Sequence, residues 1–156
     1  MDRDHALMQL HTHYQAMPPV AAMRMRIATY DGECLRLHAP LDCHVNDKGC
    51  AFGGSLGSLM TLAAWGLVSL RLQEAGVDAD VYVADSVLAF RAPLFADLEA
   101  EARIADDGSW DAFITELRDR GRAATHLAAC VRLPERGKAA TCRARYVAIA
   151  KRYDAG

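Results

Sequence analysis

A chain of 156 residues with 52% hydrophobic and 24% charged content holds enough apolar material for one globular domain with its own core, which excludes disorder. The formal net charge of −2 offers no bulk attraction to phosphate backbones or anionic lipid, so neither nucleic acid nor a membrane is an expected partner. The opening run MDRDHALMQLHTHYQAM carries acids and histidines where a secretory leader needs a basic start and an unbroken apolar stretch, so a cytoplasmic location is expected. The five cysteines, Cys34, Cys43, Cys50, Cys130 and Cys142, include no CxxC pair and read as free thiols.

Residues 2 to 16 suit a short helix, because Leu7, Leu10 and Tyr14 recur at helical spacing, and Pro18-Pro19 is expected to end it. From Met23 the period becomes two. Met23, Met25 and Ile27 alternate with Arg24 and Arg26, and after a turn at Asp31-Gly32 the run from Glu33 to His38 alternates again, as in a hairpin with one buried face. A polar loop spans Pro40 to Gly49. Beyond it, Gly53-Gly54-Ser55 opens a stretch to Leu70 without a charged residue, and Gly76 lies where that helix is expected to stop.

The run from Val81 to Phe90 is rich in β-branched and aromatic residues and closes at Pro93. Leu98, Ala100, Ala102 and Ile104 then alternate with Glu99, Glu101 and Arg103 as a further strand. Asp106-Asp107-Gly108 makes a turn, and Ser109 is placed to cap an amphipathic helix with Trp110, Phe113, Ile114 and Leu117 on one face, ending at Gly121. Two last strands are expected over Arg122 to Leu133 and Ala139 to Ile149, joined through Pro134 and Gly137.

A helix apolar nearly all round must be enclosed by protein or by lipid. The uncharged run approaches the length of a bilayer span, about 20 residues. The strand patterns on either side nevertheless call for a sheet, and no topogenic flank is present. Most strands show one apolar face, which suits an antiparallel sheet covering something on one side. The expected architecture is therefore α+β: about six antiparallel strands curled around one long central helix. One domain is expected over residues 1–156, with an N-terminal helix over 1–17 and the core over 18–152.

This order, together with Asn46-Asp47-Lys48-Gly49-Cys50-Ala51-Phe52-Gly53-Gly54-Ser55-Leu56 leading into the helix, resembles the hotdog-fold thioesterase superfamily. Within it the chain is most similar to the thioesterase family typified by the C-terminal domain of YiiD, where a similar domain follows an acetyltransferase domain; the residues read here resemble the thioesterase part, and no acetyltransferase activity is expected. The likeness runs from about Met17 to Lys151. Its strongest points are Asn46, Phe52 to Ser55, Ala64-Trp65-Gly66, Val83 to Ser86 and Phe90 to Pro93. The resemblance implies an acyl-CoA or acyl-carrier thioester as substrate. It implies coenzyme A only as part of that substrate, with no further cofactor. It also implies a homodimer or dimer of dimers, built side by side with a continuous sheet and acyl tunnels at the interface.

Thioester hydrolysis needs a polarised carbonyl, an activated water or nucleophile, and fixed donors for the developing oxyanion. The turn Phe52-Gly53-Gly54-Ser55 offers the donors, because the N–H groups of a first helical turn point outward with partial positive charge. The Gly54 amide is the expected oxyanion donor, with Phe52, Gly53 and Ser55 as substrate contacts. The plainer reading is that the glycines let the helix start close to a strand. Asn46, ahead of them, has the donor and acceptor to hold a water or the carbonyl, or else forms an Asx turn.

A well-studied branch of hotdog thioesterases carries His before the glycine pair and a carboxylate further along the helix; the corresponding positions here are Phe52 and Thr61. Thr61 can orient a water, but its hydroxyl is a poor base, and helix packing is an equal alternative. Asp85 interrupts an apolar strand and is the candidate for the missing carboxylate, the alternative being an ion pair with an arginine such as Arg91. Arg91 itself is a candidate for the phosphates of coenzyme A or a carrier arm. Ser86 reads as packing.

Cys43, His44, Asp47 and Cys50 match no standard ligand spacing, so no metal is expected. Cys50 beside His44 is a weaker nucleophile candidate. Acyl thioester hydrolysis leads these readings. A non-catalytic acyl-thioester or lipid-binding module is the alternative, and hydratase chemistry lacks a His/Asp or His/Glu pair near the glycines.

Overall fold

The computed structural model describes residues 2–151, so Met1 and the last residue of the expected core, Arg152, lie outside the described residues. In chain order the elements are α1 (Arg3–Ala16), α2 (Pro18–Ala21), β1 (Arg26–Tyr30), β2 (Leu35–Ala39), α3 (Gly53–Glu74), β3 (Ala79–Phe90), β4 (Leu98–Ile104), α4 (Trp110–Arg120), β5 (Arg122–Arg132) and β6 (Lys138–Ala150). The six strands form one antiparallel sheet in the order β1-β2-β4-β5-β6-β3.

The 22-residue α3 lies against the inner face of this sheet and touches β2, β3, β4, β5 and β6. Its length and apolar composition would let it cross a bilayer, but its ten buried residues from Leu56 to Leu72 pack inside the protein. Alternation along the strands supplies the other half of the core. Leu35 and Leu37 of β2, Leu98, Ala100 and Ala102 of β4, Leu127 and Val131 of β5, and Ala144 and Tyr146 of β6 are all buried. Each large side chain so buried contributes about 1.5–3 kcal/mol, which is what offsets four glycines in one helix. The hydroxyls of Thr61 and Ser69 donate to the carbonyls of Gly57 and Trp65, so both are satisfied within α3.

α1 closes the opposite side of α3 through Ala6, Leu10 and Tyr14, and the Tyr14 hydroxyl donates to the Leu62 carbonyl at 2.7 Å. Burial, reinforced by the nearby Tyr146, pushes the Tyr14 hydroxyl far above the ordinary tyrosine range, so it serves purely as a neutral donor.

Two expectations are corrected. Pro18 and Pro19 do not simply end α1; they occupy the first positions of α2, where a missing N–H costs nothing. The first strand starts at Arg26 rather than Met23, because Arg24 adopts a left-handed conformation (φ 53°) in a turn. Met25 is buried nonetheless, so apolar spacing ran on beyond the strand.

β3 differs from the other strands. It is the end strand of the sheet, and Tyr82, Val83, Val87, Leu88 and Phe90 along it are exposed.

Candidate functional site

The segment before α3 folds back on itself. The Phe52 N–H donates to the His44 carbonyl at 2.7 Å and the Ala51 N–H to Leu94 at 2.8 Å, beside a β-bridge between Val45 and Ala51. Phe52 is thereby held extended (φ −63°, ψ 133°) at the helix N-terminus, and its side chain offers no cap. Its carbonyl accepts from the amides of Ser55 and Leu56. Among the described residues nothing accepts from the amides of Gly53 and Gly54, so both face outward at the positive end of the helix.

These amides open on a cleft of about 740 Å³. Gly53 to Leu62 of α3 make its floor, Leu88 and Phe90 of β3 one wall, and Pro19, Val20 and Met23 the other. Of the two glycines, packing constrains Gly54. A Cβ on Gly54 would lie 2.5 Å from the Phe52 ring, whereas one on Gly53 would meet Phe90 at an ordinary 3.6 Å.

At the cleft's inner end the Ser55 hydroxyl lies 2.8 Å from His44 Nδ1, while His44 Nε2 lies 2.8 Å from the Met23 carbonyl. A carbonyl only accepts, so Nε2 carries a proton, and the tautomer protonated there presents Nδ1 as an acceptor. Ser55 is then the donor. His44 is buried (6% exposed), held between the turn after α2 and the first turn of α3. Both ring nitrogens are thus engaged by Ser55 and Met23, apart from the set Cys43, Asp47 and Cys50.

The remaining site candidates separate. Phe52, Gly53, Gly54, Ser55 and Thr61 come together in the cleft. Asn46 is occupied in its own loop: its Oδ1 accepts from the amides of Lys48 and Cys50, and its Nδ2 approaches Cys50 Sγ at 3.3 Å. That is the Asx-turn geometry. Cys50 is buried beside it.

Asp85 stands on the far face of the sheet from α3. It pairs across the strands with Arg145, whose Nε donates to it at 2.9 Å, and a bulge between Val83 and Asp85 precedes it. Its cationic partner is thus Arg145 rather than Arg91, which is exposed just past the cleft wall at Phe90. Ser86 is exposed on the open strand rather than packed. Sequence reasoning missed the pairing of His44 with Ser55. A histidine in the loop and a serine in the first turn were visible, but eleven positions of separation imply no contact.

A model of the family described as "Putative thioesterase (yiiD_Cterm)" matches residues 7–150. The structure superposes on that of a protein of unknown function from Chlorobaculum tepidum TLS with a TM-score of 0.89 at 27% identity, covering 95% of this chain and 96% of that one. It is similar also to a "putative thioesterase" from Shewanella oneidensis, with a TM-score of 0.83 at 26% identity over 94% of this chain and 99% of that one. A thioesterase from Haemophilus influenzae shares the fold, with a TM-score of 0.70 at 17% identity over 90% of each chain. With the match spanning nearly all the described residues, and with a sheet wrapped around a helix that begins at a glycine pair, the chain belongs to the thioesterase family typified by the YiiD C-terminal domain and has the hotdog fold.

Proposed function

We propose that this protein hydrolyses acyl thioesters, with the thioester carbonyl at the first turn of α3 and the acyl chain along the apolar cleft. The observation that carries this is the pair of outward amides, Gly53 and Gly54, opening on a cleft walled by Leu62, Leu88 and Phe90. A thioester carbonyl gains full negative charge only at the tetrahedral stage. Amides fixed before reaction stabilise that stage without reorganising, an effect of about 10²–10³ in rate for each donor. Thr61 lines the cleft, and its Oγ1, a donor to the Gly57 carbonyl, retains acceptor capacity for a substrate or water. Arg91 stands beyond Phe90, suited to the phosphates of coenzyme A or a carrier-protein arm.

The test is release of free thiol from acyl-CoA esters of graded chain length. Wild type is expected to turn over, and Leu62→Trp, which fills the cleft, to lose at least about tenfold in kcat/KM on long chains while sparing short ones. Asp85→Asn, altered on the opposite face, is expected to stay within about twofold of wild type. Absence of thiol release from every ester by folded protein would overturn the proposal, and saturable ester binding without release would point to the acyl-binding module instead.

A further inference from the structure

We propose that Ser55 is a nucleophile activated by His44, and that thioester cleavage passes through an acyl-Ser55 ester. The acyl transfer rests on the thioesterase reading above; the activation of Ser55 does not. Three observations carry it. The Met23 carbonyl fixes the proton on Nε2, so the imidazole faces Ser55 with its basic nitrogen at 2.8 Å, in the direction that removes a proton from the hydroxyl. Ser55 borders the cleft and His44 lies behind it, so the hydroxyl stands between the base and a carbonyl bound in the cleft. The free amides of Gly53 and Gly54 belong to the same helical turn as the nucleophile, so attacking oxygen and oxyanion donors sit on one rigid element.

The chemistry balances with water as the only co-reactant. Ser55 Oγ bonds to the thioester carbon as its proton passes to His44 Nδ1, and the carbonyl π pair moves to oxygen. On collapse the C–S bond breaks, and the thiolate takes the proton from His44 and leaves as free thiol. Water then gives a proton to Nδ1 and attacks the ester carbon. The C–Oγ bond breaks, Oγ recovers a proton from His44, and the acid departs as carboxylate and a proton. Throughout, the imidazolium keeps both partners, since Nδ1–H can point at Oγ and Nε2–H at Met23.

The test uses the full chain and a fluorophosphonate, which modifies activated serines whatever their natural substrate. Peptide mapping is expected to find the adduct on Ser55 in wild type, none at that position in Ser55→Ala, and labelling at least about tenfold slower in a folded His44→Gln. Folded wild type that stays unlabelled at Ser55 would overturn the proposal, with or without thioester turnover; equal labelling of His44→Gln would overturn the part given to His44. Should that variant fail to fold, wild type and Ser55→Ala still decide. A labelled Ser55 in a protein that releases no thiol retires the thioesterase reading and leaves the activated serine standing. During octanoyl-CoA turnover, acid quenching is expected to trap an octanoyl group on Ser55, and wild-type turnover by Ser55→Ala would overturn the acyl-serine step.

Discussion

Gly66 sits where α1 crosses α3, and a Cβ there would land on the Tyr14 hydroxyl and 2.9 Å from Leu35 Cδ2. Both neighbours are fully enclosed, and Tyr14 is further tied to the Leu62 carbonyl, so neither has room to yield. Gly66→Ala is therefore expected to destabilise by about 1–3 kcal/mol despite the better helix propensity of alanine. Calorimetry would show this as a Tm lowered by about 2–4 °C per kcal/mol at this chain length; an unchanged or higher Tm would contradict the packing. The same scale shows the limit of reading single residues. Asp85 is conspicuous as a carboxylate in an apolar strand, yet the guanidinium that pairs with it is that of Arg145, sixty positions away. Asn46 keeps the Asx turn visible as an alternative in the sequence, whereas the bond from Thr61 to the Gly57 carbonyl is not among the sequence readings of that residue.

Among elements, α4 was the most legible because its signals are local. Ser109 accepts from the Ala112 amide at the start, and Gly121 adopts φ 74° at the end. The β-sheet needs partners, and one buried carboxylate joins three of its strands. Glu101 of β4 receives Arg132 of β5 at 2.7 Å and Arg36 of β2 at 3.1 Å, with Cys130 Sγ donating at 3.5 Å. Burial by itself would raise the Glu101 pKa, but the hydrogen bonds and charge of Arg132, then Cys130 and Arg36, outweigh it and hold the carboxyl below the usual range. A depressed native value stabilises the fold above the unfolded pKa of about 4.3, and that contribution disappears as pH falls through the native value. Glu101→Gln is expected to flatten the acid limb of stability against pH and to cost about 1–3 kcal/mol near neutrality, toward the lower end because both arginines are half exposed. Urea melts at several pH values check this, and an unchanged acid limb would refute it.

At the scale of the whole molecule the open edge of β3 stands out. It is the end strand of the sheet, the Val81 carbonyl accepting from Trp65 Nε1 of α3, and it exposes Tyr82, Val83, Val87, Leu88 and Phe90, an arrangement that stays soluble most readily when the edge is covered. We propose that two copies pair along it, extending the sheet, as the sequence resemblance implied. Light scattering is expected to give a dimer for wild type and a shift toward monomer for Val87→Lys, whose 75%-exposed position can accept the charge without disturbing the monomer core. A monomeric wild type would reject this assembly.

The sequence by itself determined the parts whose signal is periodic or local: the charge-free helix from Gly53, the alternating strands, the caps of α4, and hence a sheet covering one helix. Apolar spacing specifies a buried face wherever it occurs, so these elements followed without knowledge of their neighbours. Only the tertiary structure decided that Asp85 faces Arg145, that Glu101 clamps two arginines, and that His44 meets Ser55. Such contacts depend on strand order and loop path, which bring distant residues within 3 Å through the combined burial energy of the whole core rather than through any preference of the residues themselves.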